Sequence, residues 1–252
     1  MPARKRPHDL LKATTHPIHP FDQIHGTDTS GLVPSGHLAT GHANDRHITA
    51  YYAVAPSILR TLIQHWRETV PPHPIHSYTF LDIGCGKGRA LFIASELPFR
   101  KVTGIELNPA MAAAAEINLR HWKRTHASDP TAPRLAPIEI IEQDALEYDL
   151  PNTPTLVFLF HPFEAPVLKA LIRRIETHFA KRPGTLDILY VNDECAHLLD
   201  GHPAFTRLFR GPVAMSPEDH AADLEAIAQQ KEYGSTGDEA CAIYRYTSRS
   251  KS

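Results

Sequence analysis

The stretch Phe80-Leu81-Asp82-Ile83-Gly84-Cys85-Gly86-Lys87-Gly88-Arg89 decides the fold. An apolar run closes on an acidic residue, glycine then recurs at every second position, and a helical pattern begins at Arg89. Glycine permits a tight turn and lets a ligand lie against the backbone. The amides at the start of a helix favour an electron-rich or anionic group. Together these features predict a ligand-binding loop at the carboxyl end of a parallel strand. A dinucleotide fingerprint, G-x-G-x-x-G, needs its third glycine where Arg89 stands, which weakens a nicotinamide dinucleotide as the ligand.

Working outward, short apolar runs alternate with helical stretches, the pattern of a parallel sheet covered on both faces. The expected strands are Tyr78–Ile83, Lys101–Glu106, Ile138–Glu142, Thr155–Phe160 and Thr185–Asn192, with helices at Arg89–Leu97, Pro109–Thr125 and Ala165–Ala180. Pro130, Pro133 and Pro137 mark a loop. Ala204–Arg210 and Cys241–Tyr246 read as a terminal antiparallel pair flanking a polar stretch with a helix over Pro217–Gln230. Upstream, Val54, Ile58, Leu59, Leu62, Ile63 and Trp66 fall at helical spacing, so a helix is expected from Thr49 to Glu68, stopped by Pro71, Pro72 and Pro74. Residues 1–46 are rich in His, Pro, Gly, Thr and Ser without a period, and read as an irregular arm wrapping onto a main domain over 47–252. His-Pro-Ile-His occurs at 16–19 and again at 73–76, too short a repetition to indicate a repeat fold.

Two further acidic residues extend the loop into a site. Glu106 ends the second strand 22 positions after Gly84, where a carboxylate accepts from both hydroxyls of a ribose and repels a ribose phosphate. Asp144 follows the third strand, where it can accept from an exocyclic adenine amine. The ligand is expected to be an unphosphorylated nucleoside derivative.

At these residues the chain resembles the class I S-adenosylmethionine-dependent methyltransferases, over roughly Tyr78 to Asn192 and on toward the C-terminus. The family's glycine motif matches Asp82-Ile83-Gly84-Cys85-Gly86-Lys87-Gly88, its ribose-binding acid Glu106, and its adenine-contacting acid Asp144. GKGRALFIAS followed by GIELNP looks like a bacterial branch of unassigned substrate, and more distantly like seven-strand protein-lysine methyltransferases; Phe21 to Gly31 also resembles that branch's N-terminal stretch. The resemblance implies a three-layer, Rossmann-like α/β sheet, mostly parallel with a terminal antiparallel strand pair, and S-adenosylmethionine as cofactor. It also implies that Asp82 faces the methionine amine, that Gly84, Cys85, Gly86 and Gly88 line the cofactor, and that Tyr51 and Tyr52 close over its methionine end; core or arm packing is the other reading of those tyrosines.

His161, in Phe160-His161-Pro162-Phe163 after the fourth strand, is the catalytic candidate, because strand carboxyl ends in open parallel sheets carry reacting groups and an imidazole there can deprotonate a nucleophile. A loop histidine among 17 is the alternative. Amino-methyltransferases acting on nucleobases carry Asn/Asp-Pro-Pro-aromatic at this place; the Asn/Asp and the second Pro are missing here, which disfavours base methylation. Asn192-Asp193-Glu194 reads as a loop or cap at the same edge. Lys87 reads as solvated, Arg89 as paired on the surface, and the Cys85 side chain as a small packed residue.

Composition bounds the partners. With 26 Lys+Arg against 28 Asp+Glu the formal charge is −2, giving no global attraction to a nucleic-acid backbone or an anionic membrane, although 17 His make that balance pH-sensitive. A protein side chain or a small molecule is therefore favoured as acceptor over nucleic acid. Three widely spaced cysteines and no HExxH predict neither a disulfide framework nor a metal site. MPARKRPHDLLK lacks an apolar core, and no stretch reaches the roughly 18 apolar residues of a membrane span, so a cytoplasmic protein is expected. Two rival functions remain at this point: a non-catalytic cofactor-binding module and an NAD-dependent oxidoreductase.

Overall fold

The computed structural model describes residues 17–228 and 234–248. Among them, β1 (Thr79–Ile83), β2 (Lys101–Glu106), β3 (Ile138–Glu142), β4 (Thr155–Phe160), β5 (Leu186–Val191), β6 (Phe205–Ala214) and β7 (Asp238–Tyr246) form one sheet in the order β3-β2-β1-β4-β5-β7-β6. The first five strands pair in parallel. β7 inserts between β5 and β6 and runs antiparallel to both. The expected terminal antiparallel pair is present, with β7 as the reversed strand. Strand order switches direction between β1 and β4, and such a switch opens a crevice at the carboxyl edge.

The helices are α1 (Pro20–His25), α2 (Ser35–Leu38), α3 (Pro56–Glu68), α4 (Arg89–Ser95), α5 (Pro109–Ser128), α6 (Ala165–Phe179), α7 (His197–Asp200) and α8 (Pro217–Ile227). Side chains alternate across the sheet with the period of two that a strand imposes. Phe80, Leu156, Phe158 and Leu189 pack into one core with α3, α4 and Trp122 of α5, while Leu81, Ile83, Val157 and Leu159 pack into the other with α6. In α3, Ile58, Leu59, Leu62, Ile63 and Trp66 are all buried, each burial contributing about 2 kcal/mol. The Trp66 indole donates to Asp187 on β5 at 2.7 Å, and Arg245 on β7 closes the same fully buried carboxylate at 2.8 and 3.0 Å.

Two expectations are corrected. α3 begins at Pro56, not Thr49, because proline fits the first helical turn but not the interior. Tyr51 and Tyr52 are therefore extended, and Tyr51 exchanges backbone hydrogen bonds with Val33 at 2.9 and 3.0 Å. The arm is also more ordered than an irregular segment. α1 starts at Pro20 with the His19 side chain accepting from the Phe21 amide, and stops at Gly26, whose φ of +65° is a left-handed cap. The basic opening of the chain, residues 1–16, lies outside the described residues, as do Gln229 and Gln230 at the expected end of α8.

Candidate active site

A cavity runs along the carboxyl edge of β1, β2 and β4. From the sheet side it is walled by Asp82, Gly84, Cys85, Gly86, Glu106 and Asp144; Asn44 covers it together with the extended segment 48–54, which continues the arm past its expected end at residue 46 up to the helix at Pro56. Six of the seven residues expected to bind cofactor thus share one wall. Gly88 does not line it: at φ +95° it caps α4, where an added Cβ would stand 2.9 Å from the Phe92 ring. At Gly86, φ is +54° and a Cβ would run into the Tyr51 ring, so both backbone and arm demand glycine there. The Cys85 side chain packs over Gly104, as expected of a small residue.

Glu106 ties the loop to the next strand. One carboxylate oxygen accepts from the Gly86 amide and the other from the Asn108 amide, both at 2.8 Å, and the side chain lines the cavity. Burial raises its pKa. Asp82 is 3% exposed, and among the described residues no group donates to its carboxylate. Burial first, then the Glu106 charge, pushes its pKa well up. A buried carboxylate without a donor is costly, and an ammonium group is the partner that best relieves the cost. Asp144 accepts from the Leu146 amide at 2.8 Å and from the Asn44 carboxamide at 2.9 Å. An orphaned acid beside the glycine turn, a second acid at the end of β2 and a third after β3 fit the amine, ribose and base of S-adenosylmethionine.

Lys87 and Arg89 correct the sequence reading most sharply, for they are 3% and 4% exposed and neither is a solvated or surface group. Arg89 donates to Thr29 Oγ1 at 2.7 Å, to Ser30 Oγ at 3.2 Å and to the Val54 carbonyl at 3.4 Å, and pairs with Asp22 at 3.4 Å. The Asp22 carboxylate also accepts from the hydroxyls of Thr27, Thr29 and Ser30 and from the Thr29 amide. Lys87 donates to the Ser30 carbonyl at 2.7 Å and stands over the Tyr51 ring. Asn118 on α5 holds the Lys87 carbonyl and both backbone groups of Asp28. The arm is thus pinned to the glycine loop through Asp22, Thr29 and Ser30, a set the sequence reading missed. Its signal is a run of polar residues, but the partners lie some 60 positions away and no local pattern marks them.

At the other end, the cavity wall carries Phe160, Pro162 and Phe163 but not His161. His161 adopts a left-handed φ of +38° just beyond β4, a conformation costing about 1–2 kcal/mol for a residue with a Cβ. Its carbonyl accepts from Thr49 of the arm, and Ile48 bridges to Phe163. The imidazole faces the Tyr190 hydroxyl at 3.5 Å and Glu194 at 3.4 Å. Asp193 is taken up by Arg210 at 2.8 Å. Tyr52 lines the cavity too, and its hydroxyl donates to Asp223 of α8.

Among the described residues no helix is long and apolar enough to cross a membrane, and no three His, Cys, Asp or Glu side chains group to hold a metal ion. Residues 81–186 match the family model described as a methyltransferase domain. Among solved structures the chain is similar to precorrin-6y C5,15-methyltransferase from Geobacter metallireducens, at 16% identity and a TM-score of 0.46 over 73% of this chain and 87% of that one. It is similar to magnesium protoporphyrin IX methyltransferase from Synechocystis with bound S-adenosylmethionine, at 12% identity and 0.44 over 75% and 79%. A third likeness, to an RNA methyltransferase from Salinibacter ruber in complex with S-adenosyl-L-homocysteine, stands at 14% identity and 0.41 over 77% and 93%. No curated protein matches the chain.

Proposed function

We propose that the protein is an S-adenosylmethionine-dependent methyltransferase, a reading supported by the methyltransferase-domain match over residues 81–186, and that it methylates a small molecule or a single protein side chain admitted under its N-terminal arm. The observation that carries this reading is the shared wall of Asp82, Gly84, Gly86, Glu106 and Asp144, ending in an apolar chamber of Ile48, Val54, Phe158, Phe160 and Phe163. Asp82 receives the amino acid ammonium, Glu106 the ribose hydroxyls and Asp144 the adenine amine. S-adenosylmethionine supplies a methyl group made electrophilic by its sulfonium, so the chain has chiefly to align the acceptor and shed water. Ile48 and Thr49, joined to Phe163 and His161, form a roof over that chamber. A roofed apolar chamber supports an acceptor no bulkier than a side chain, and a net charge of −2 supports one other than nucleic acid.

His161 is assigned to the acceptor end. Its backbone sets the turn that walls the chamber, and its imidazole, set behind that wall against Tyr190 and Glu194, acts as a positioning group that holds the turn instead of as a proton acceptor inside the cavity.

Calorimetric titration with S-adenosylmethionine and, separately, NAD tests the cofactor. Micromolar binding of the first alone is expected; binding of NAD alone would make the protein an oxidoreductase. Radiolabelled methyl transfer into separated small-molecule, protein and RNA fractions of a cell extract then tests the acceptor. Label in the RNA fraction overturns the acceptor class, and no label in any fraction favours a binding module.

A further inference from the structure

We propose that Asn44, delivered by the arm, is a specificity residue that reads the 6-amino group of the cofactor's purine jointly with Asp144. The inference rests on the cofactor reading above. Asn44 lines the same cavity as Asp82 and Glu106. Its carboxamide nitrogen donates to Asp144 Oδ2 at 2.9 Å. A carboxylate only accepts, so this contact fixes the amide orientation and leaves Asn44 Oδ1 as an acceptor, to which no described residue donates.

The turn that presents Asn44 is built for the purpose. Asp45 Oδ2 gathers the amides of Thr40, Gly41 and His42 at 2.7, 2.6 and 3.0 Å. The Asn44 amide donates to His42 Nδ1 at 3.2 Å, which puts the ring proton on Nε2, 3.7 Å from Asp144 Oδ2. Asp144 Oδ1 is taken by the Leu146 amide. Facing this end of the cavity are the Asp144 carboxylate and Asn44 Oδ1, two acceptors side by side, next to Gln143. An amino group has two protons to give, one to each. A 6-oxo group has none, so both acceptors would lose the partner that an amino group supplies, and sites built on such pairing discriminate against the analogue that lacks it.

The test is calorimetric affinity for S-adenosylhomocysteine and for its 6-oxo counterpart, S-inosylhomocysteine, in the wild-type chain, in Asn44→Ala and in Asn44→Ser, whose hydroxyl is too short to reach. The wild type is expected to prefer the amino ligand. Both variants should keep the wild-type fold by circular dichroism and lose roughly three- to tenfold of that preference, the worth of one net hydrogen bond. The ratio of affinities is the informative quantity, since general loosening of the turn weakens both ligands together. A ratio unchanged within about twofold in both variants, with S-adenosylhomocysteine still bound by the wild type, overturns the role of Asn44 and spares the cofactor assignment. Failure of the wild type to bind S-adenosylhomocysteine overturns the cofactor assignment and this inference with it.

Discussion

Asp22→Asn is the perturbation that asks most directly whether the arm is part of the enzyme's framework. The Asp22 side chain is fully buried and faces five donors: the hydroxyls of Thr27, Thr29 and Ser30, the Thr29 amide and the Arg89 guanidinium. Asparagine preserves the shape, and the hydroxyls of Thr27 and Thr29 can turn to accept from its new amino group. What is lost is charge, leaving Arg89, 4% exposed, without its anion. Breaking a buried pair costs roughly 3–5 kcal/mol; because Arg89 keeps Thr29, Ser30 and the Val54 carbonyl as acceptors, the lower end, about 3 kcal/mol, is expected. For a chain of this size that corresponds to a melting temperature lower by roughly 6–12 °C. Urea titration at pH 7 reads the loss as a shifted midpoint at unchanged slope. Burial alone would raise the Asp22 pKa, but Arg89 and the three hydroxyls outweigh it and hold the pKa below its usual value. Its contribution is thus present above the unfolded carboxylate pKa and disappears as pH falls through the lower folded value. The gap between wild type and variant should therefore close in acid, below about pH 4. A loss under about 1 kcal/mol at pH 7, or a gap independent of pH, would refute the framework role.

Three other outcomes are expected. Asp82→Asn should lower affinity for S-adenosylmethionine by roughly ten- to a hundredfold, the worth of a hydrogen bond to a charged group. The ligand-free variant should at the same time gain stability: the folded pKa of Asp82 is raised, so its favourable contribution exists in acid and is lost as pH rises, and the advantage of Asn must widen toward pH 8; a variant less stable than wild type at pH 8 refutes the ligand role. Gly86→Ala should destabilise by about 2–3 kcal/mol through its left-handed φ and the collision with Tyr51, and Tyr51→Ala in the same chain should recover the collision but not the backbone cost; strictly additive effects in denaturant unfolding would show that the two do not meet. His161→Ala should leave S-adenosylmethionine affinity within about twofold of wild type and reduce methyl transfer by up to about a hundredfold through misplacement of the chamber wall; full turnover returns His161 to an ordinary loop residue.

What the sequence disclosed and what it withheld differ in range. The strands Lys101–Glu106 and Thr155–Phe160 were legible to the residue because burial on both faces writes itself as a local apolar run, and the half-exposed edge strand Ile138–Glu142 because its isoleucines stand between turn signals. Asp82, Glu106 and Asp144 were legible because each stands at the end of such a run, where the sheet's topology alone determines what it faces. Lys87 and Arg89 were misread for the complementary reason. A basic side chain beside glycine has solvent as its default surroundings, and only acids folded back from the arm, Asp28 for Lys87 and Asp22 for Arg89, offset the cost of burial. Tyr51 misled in a similar way, since the helical spacing of Val54 to Trp66 carries no marker of its start except Pro56, whereas the backbone pairing with Val33 that extends Tyr51 is a contact between distant segments.

The same range argument bears on how the site works. The wall proposed to hold the cofactor belongs to β1, β2 and the turn after β3, while the groups proposed to bear on specificity and access, Asn44, Ile48 and Thr49, come from the arm and the extended segment that continues it. The arm is anchored by the polar knot at Asp22, by Asn118 at Asp28, by single side-chain bonds at His25 and Leu38 and by isolated bridges at Val33 and Ile48, not by an extended strand ladder. Segments with few backbone hydrogen bonds open at lower free energy than the sheet they cover. Acceptor entry by displacement of residues 44–54, with the Asp22 knot holding the remainder of the arm in place, follows from that difference. Hydrogen exchange should accordingly find the amides of 44–54 less protected than those of β1, and more protected when S-adenosylhomocysteine is bound; protection equal to β1 in the free protein would mean that the roof does not lift.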